Sequence, residues 1–294
     1  MAATVSALGG VDWVDTVNGT YVAGALVGPP GPGAEQFAGD GAGWMSVVPS
    51  IEMRSEEGET LVGEIRLLDS AGELLVGGET AELIDTRSSI GGRLPLALAI
   101  IAVTTTVLLF LMSGSLLVPV KALLLNLLSL TATFGAMVWI FQDGNGEGLL
   151  GFTSTGSIDT SMPILMFCIA FGLSMDYEVF LMSRIKEEHD RTGDNDHAVA
   201  LGLERTGRIV TAAALLLSVT FFAFGTSGVS FIKMFGIGLG LAILMDAFVI
   251  RGLLVPAFMK LAGSANWWAP RPLRRLHDRI GITEGESLPE GPSA

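Results

Sequence analysis

Cysteine is nearly absent from this 294-residue chain. Cys168 stands alone, which excludes an internal disulfide framework and a cysteine-built zinc cluster. The three histidines, His189, His197 and His277, lack metal-ligand spacing and argue against a histidine-built metal site. Charge is thin as well: Asp, Glu, Lys and Arg make up 16% of the residues against 50% hydrophobic ones, and the mean hydropathy is +0.56. Soluble domains carry about a quarter of their residues as charges, so this composition points to a membrane. No nucleophile, base and orienting group stand in a recognisable set, and no phosphate loop is present. Gly236-Ile237-Gly238-Leu239-Gly240 hints at a dinucleotide loop, but it lies inside an apolar run with no strand before it. Gly236 and Gly240 read instead as a G-x-x-x-G helix-packing face. No enzymatic activity, cofactor or metal is therefore expected.

The net charge of −13 is unevenly placed. Residues 1–92 hold 14 of the 30 acidic residues and only three bases, Arg54, Arg66 and Arg87. The remainder is nearly balanced. An acidic, water-facing first part thus precedes a greasy, almost neutral one, and neither suits nucleic acid. Residues 1–26 lack the basic-then-apolar pattern of a signal peptide. An acidic segment of this size rarely crosses a membrane without a hydrophobic segment ahead of it. The expectation is that Met1 is not the natural start and that earlier spans precede it.

Five apolar runs, at about 94–112, 120–141, 162–183, 209–229 and 234–259, predict a five-helix transmembrane domain over residues 93–260. At 1.5 Å per residue each is long enough for a hydrocarbon core of about 30 Å. Bases fix the expected orientation. Arg184, Lys186, Arg191, Arg205 and Arg208 lie in the 184–208 connection, Lys121 ends the first short link, and Lys260, Arg271, Arg274, Arg275 and Arg279 follow the last span. The 142–161 loop carries only acids, Asp143, Glu147 and Asp159. A multi-pass protein of the plasma (inner) membrane follows, with residues 1–92 extracytoplasmic and the C-terminus cytoplasmic. Residues 261–294 form the tail. Its Trp267-Trp268, the four arginines that follow, and Leu273, Leu276 and Ile280 predict a basic amphipathic helix at the interface.

Residues 1–92 read as a truncated α/β domain. Residues 44–51 are strand-like, Ser55 can cap a helix with Glu56 and Glu57 in its first turn, and Leu61, Ile65 and Leu68 recur at helical spacing. A short strand at 73–76 is broken by Gly77-Gly78, and a helix near 79–88 leads into the first span. That order is part of a ferredoxin-like split unit. Residues 1–43, with Pro29-Pro30-Gly31-Pro32-Gly33, read as a loop-rich remnant.

Charges inside the spans are the candidate functional residues, because each costs roughly 2.5–3.5 kcal/mol at a helix centre. Asp176 lies about two thirds of the way across the third span, and a carboxyl group in a low-dielectric setting can exchange protons near neutral pH. Tyr177 adds a phenol beside it. Adjacent helical side chains diverge by about 100°, so the two engage different neighbours. Glu178 reads as an interfacial charge facing elsewhere. Asp246 and Arg251 are accessory charges in the last span; five residues apart, they diverge by about 140° on an α-helix, so a simple pair is not assured. Cys168 reads as a small apolar residue, and His189 and His197 as solvated.

Residues from about Val76 to Gly281 resemble the MMPL family of the resistance-nodulation-division superfamily, actinobacterial type. The resemblance rests on Val76-Gly77-Gly78-Glu79-Thr80-Ala81 with Asp85, on Leu117-Val118-Pro119-Val120-Lys121-Ala122 and Asn126, and on Gly172-Leu173-Ser174-Met175-Asp176-Tyr177-Glu178-Val179-Phe180-Leu181 with Arg184. Thr206-Gly207-Arg208, Asp246 with Arg251, Val255-Pro256-Ala257 and Asn266-Trp267-Trp268 extend it. It implies a proton-driven exporter of two pseudo-repeated halves, of which this chain looks like the last five spans plus the end of a periplasmic porter domain. Asp176 and Tyr177 match the second-half member of two Asp-Tyr pairs that relay protons across the pseudo-twofold. The implied partners are the missing N-terminal half or a homo-oligomer, membrane lipids, and a lipid or other hydrophobic substrate, with the proton gradient as energy source. The rival reading is a non-transporting scaffold, a receptor-like relative of sterol-sensing type, or a protein-translocation accessory of the same superfamily.

Overall fold

A computed structural model describes residues 1–39, 42–70, 72–154, 156 and 158–280. The chain divides into two compact units, one ending at Pro95 and one beginning at Leu96. The first is a small α/β unit, as the local sequence patterns predict. A short helix α1 (Ala2–Ser6) precedes strands β1 (Val11–Thr16), β2 (Gly19–Val22) and β3 (Ala25–Gly28). A two-stranded ribbon, β4 (Ala38–Gly39) with β5 (Ala42–Gly43), leads to β6 (Ser46–Pro49). The main sheet is wholly antiparallel in the order β3-β2-β1-β6. Helix α2 (Glu56–Arg66) begins where the Ser55 hydroxyl accepts the Gly58 N–H. Leu61 and Ile65 of that helix are buried with Val5 and Val14 in one core.

Two expectations fail in this unit. Residues 1–43 are not a loop-rich remnant, since they supply α1 and three of the four strands of the main sheet. Residues 73–76 form no strand: Val76 packs on the core that α2 helps to build, its carbonyl accepting from Arg66, and Leu75 is left 82% exposed. The domain is α/β, but its order is not the strand–helix–strand–helix of a split unit.

Among the described residues, five helices are long and apolar enough to cross a membrane. The first, α3 (Glu79–Ser113), is continuous through Pro95. Next comes α4 (Leu117–Met137), which runs into a π-helical segment Val138–Gln142, and a one-turn helix α5 (Glu147–Leu150) follows. The third and fourth are α6 (Ser161–Thr192) and α7 (Asn195–Phe224). The fifth is built of α8 (Ser230–Leu244), a π-helical segment Met245–Leu254 and α9 (Val255–Ala262). A 3₁₀ turn (Gly263–Trp267) and α10 (Arg271–Ile280) close the described tail; residues 281–294 lie outside it, including the last residue of the family resemblance.

The basic 184–208 connection is mostly helix. Gly193, at φ +72°, ends α6, and Asp194 accepts the Asp196 and His197 N–H groups to start α7, so the turn itself is two residues long. Span four ends at Phe224 rather than 229, because Gly225-Thr226-Ser227-Gly228 turns the chain. The glycine face of α8 packs on α7: a Cβ at Gly236 would fall 2.4 Å from the Phe221 carbonyl oxygen, and one at Gly240 would meet the Phe222 ring. At the same end Lys233 is buried and donates to the carbonyls of Leu150 and Gly151, tying the acidic 142–161 loop to α8.

Apolar side chains occupy both ends of the bundle. Met137, Phe141, Met162, Met166, Met234 and Leu239 form one cluster near the 142–161 loop. Val118, Leu125, Leu181, Met182, Ile185 and Val255 belong to the other, towards the bases. Between them α4, α6 and the π segment at 245–254 carry a layer of buried polar groups.

Candidate functional site

The π segment explains the centre of that layer. A π-helix closes its turn on the residue five positions along, so Arg251 comes over Asp246 instead of diverging from it. Arg251 Nε donates to Asp246 Oδ2 at 2.7 Å, and both side chains are buried. Ser174 of α6 completes the cluster. Its hydroxyl donates to Asp246 Oδ1 at 2.7 Å, and Arg251 Nη2 donates to the Ser174 carbonyl and, at 3.2 Å, to its hydroxyl. The Arg251 guanidinium carbon stands 5.3 Å from the centre of the half-buried Tyr177 ring. A narrow cleft lined by Leu173, Ser174, Tyr177, Ala214 and Asp246 adjoins the cluster.

Asp176 does not join this cluster. Along α6 the exposed positions Cys168, Gly172, Asp176 and Val179 fall on one stripe, opposite the buried Ser174 and Glu178. Asp176 forms no ion pair or hydrogen bond with any described residue. The neighbouring acid and phenol thus point to different places: Asp176 to the open face of the five-helix unit, Tyr177 into the bundle under Arg251.

Glu178 is not interfacial. It is 4% exposed, with Oε1 3.7 Å from the Lys121 ammonium of α4, which is itself 4% exposed. Lys121 therefore lies within the bundle rather than flanking a span. Its other polar contact is Met182 Sδ, at 3.6 Å. Glu178 Oε1, and Asn126 Nδ2 of α4, are buried without a hydrogen-bond partner among the described residues. A separation of 3.7 Å with spare donors and acceptors is a loose buried pair, which costs desolvation without full repayment. Ser174, Glu178 and Met182, four residues apart, share the inward face of α6, but the exposed Cys168, Gly172 and Asp176 recur at the same spacing, so the sequence carried no signal for it.

Beyond the apolar part of α6, Glu188 is buried where three bases converge: Arg191, Arg205 Nη1 at 3.5 Å and His197 Nε2 at 3.8 Å. The Arg191 hydrogen bond holds its carboxyl below the ordinary value of 4.5. His189 is not simply solvated, since its ring stacks on Trp267 with centroids 4.2 Å apart. Asn195 accepts from the indole N–H of Trp267 at 3.2 Å, and Asn266 donates to the Met259 carbonyl, so the Asn-Trp-Trp run locks the end of the last span to the α6–α7 turn.

The profile of the MMPL family matches residues 60–281, which include every member of the polar layer. The chain belongs to the MMPL family. Among its MMPL relatives, a putative membrane protein SCO6666 of Streptomyces coelicolor is 48% identical over 224 residues, covering 76% of this chain and 32% of the relative. The trehalose monomycolate exporter MmpL3 of Mycolicibacterium smegmatis is 43% identical over 218 residues, 74% of this chain and 21% of the relative. A third, the heme uptake protein MmpL11 of Mycobacterium tuberculosis, is 35% identical over 255 residues, 85% of this chain and 26% of the relative. This MMPL chain therefore spans a third or less of the length of these curated relatives. Membership and five apolar helices make it a multi-pass membrane protein of a transporter family.

Proposed function

We propose that this chain is the C-terminal part of a proton-motive-force-driven exporter of lipids or other hydrophobic compounds, in which Asp176 and Tyr177 supply half of an intramembrane proton relay. The observation that carries the reading is the divergence of the pair, Asp176 on the open face of α6 and Tyr177 inward beneath Arg251. A charged carboxylate at mid-span costs roughly 2.5–3.5 kcal/mol. One charge moved across 100 mV is worth about 2.3 kcal/mol. The two are of one order, so loading or unloading a single proton on Asp176 is enough to change which neighbour that face accepts. Tyr177, Ser174, Asp246 and Arg251 join α6 to the π segment of the last span, so a shift of α6 is transmitted there.

The partner for the open face is an upstream half carrying its own acid and tyrosine, with a second copy of this chain as the alternative. The base-rich end lies in the cytoplasm and the N-terminal unit outside, a reading supported by the acid-only 142–161 loop and the clustered arginines. That the relative MmpL3 is a trehalose monomycolate exporter supports a lipid as substrate.

The test is export by this chain co-expressed with its upstream half, normalised to membrane-inserted protein. Asp176→Asn keeps size and hydrogen bonding but fixes a neutral group, and export is expected to disappear. Tyr177→Phe is expected to impair it less severely. Normal export by Asp176→Asn at equal protein level contradicts the relay and favours a non-transporting scaffold.

A further inference from the structure

The two sides of α10 differ in kind. At about 100° per residue, Leu273, Leu276, His277 and Ile280 share one arc, and Arg271, Arg274, Arg275, Asp278 and Arg279 occupy the opposite side. Part of the apolar side has a protein partner. The His277 ring stands edge-on to Phe110 of α3, with centroids 6.0 Å apart, and lies so close to Gly114 that a Cβ there would fall 2.8 Å from the imidazole. Gly114 also holds φ +67°, so both space and backbone require glycine at this turn. Just ahead of α10 the Trp268 carbonyl accepts from the Leu116 N–H at 3.2 Å and from the Ser115 hydroxyl at 3.4 Å. The tail is thus fastened to the turn between α3 and α4.

The rest of the apolar side is left largely open: Leu276 is 45% exposed, Ile280 56%, and the neighbouring Trp268 60%. Four arginines against one aspartate face the other way. A soluble anion or an acidic protein segment could satisfy the arginines, but both would leave the indole and aliphatic groups in water. A bilayer surface meets both sides at once, with hydrocarbon for Trp268, Leu276 and Ile280 and phosphate oxygens for the guanidinium forks.

We infer that α10, together with Trp268, is an in-plane membrane helix that binds the anionic head groups of the leaflet at the base-rich end of the bundle. Through Trp268 and His277 the bound lipid steadies the foot of the first two spans. The inference does not rest on the transport reading, since it concerns a surface remote from Asp176 and stands whether or not the protein exports.

The experiment is native mass spectrometry of the 294-residue chain released from nanodiscs of phosphatidylglycerol and phosphatidylcholine. Phosphatidylglycerol is expected to be retained preferentially. Each juxtamembrane base is worth about fivefold in affinity for an anionic surface, so Arg274→Gln with Arg275→Gln is expected to weaken retention on the order of twentyfold. Asp278→Asn, which leaves the fold's contacts in place, is expected to strengthen it about fivefold. Equal retention of the two lipids overturns the inference, as does a wild-type affinity in Asp278→Asn. Displacement of phosphatidylglycerol by millimolar inorganic phosphate also overturns it, reducing the site to one for soluble anions.

Discussion

Glu178 and Lys121 make the sharpest residue-scale statement about this bundle. Both are within a few per cent of full burial, and neither has another strong partner among the described residues. Removing one member of a buried pair leaves a bare charge and costs about 3–5 kcal/mol, whereas replacing both with apolar groups is close to neutral. Glu178→Gln and Lys121→Met are each expected to lower the unfolding midpoint in detergent by that order, and Lys121→Met combined with Glu178→Leu to return near the parent value. Small, equal shifts in all three variants contradict the buried pair. The charges were visible in the sequence, but their burial was not. A lysine one turn into a helix has the same local pattern as one flanking a span, and the four-residue recurrence of Ser174, Glu178 and Met182 is matched by that of the exposed Cys168, Gly172 and Asp176. Asp246 and Arg251 were legible as intramembrane charges, but their pairing depends on a π turn that has no periodicity of its own.

Elements were legible where hydrophobic runs are long. The spans, the Ser55 cap, the G-x-x-x-G face and the basic amphipathic helix were all readable, because each rests on a local pattern. The sheet was not. The β2–β3 turn is Ala23-Gly24 with both residues at positive φ, a primed hairpin turn made without the usual Asn-Gly pair, and Ala23 is a non-glycine residue held at φ +45°. The glycine face gives a prediction. Gly236→Ala places a Cβ against backbone, and such overpacking costs about 1–3 kcal/mol. Gly172→Ala meets nothing within 4 Å and is expected to leave the unfolding midpoint of the chain unchanged. Equal effects of the two substitutions contradict the α7–α8 contact. The α6–α7 junction has a pH signature. Because the Glu188 carboxyl titrates below its ordinary value, its contribution is complete above the ordinary carboxylate range and is lost as pH falls through the lowered value. Thermal midpoints recorded from pH 7 to pH 3 are expected to fall, and Glu188→Gln to flatten that part of the curve. An unchanged profile in Glu188→Gln contradicts the role given to this carboxylate.

For the whole molecule, orientation and the open face of α6 decide the account. Leu67 is 87% exposed in the N-terminal unit, and the Glu187 side chain is 59% exposed at the base-rich end. In a Cys168→Ala background, Leu67→Cys is expected to react with a membrane-impermeant thiol reagent in intact cells and Glu187→Cys only after permeabilisation. The reverse pattern inverts the topology. Proton transfer through Asp176, as proposed, is read out by proton flux. Proteoliposomes holding this chain assembled with its upstream half, loaded with a pH-sensitive dye and supplied with a lipid substrate, report it without an export assay. Substrate-dependent proton movement is expected in the parent protein and none above the empty-liposome background in Asp176→Asn at equal incorporation. Undiminished flux through Asp176→Asn would contradict the proposed transfer.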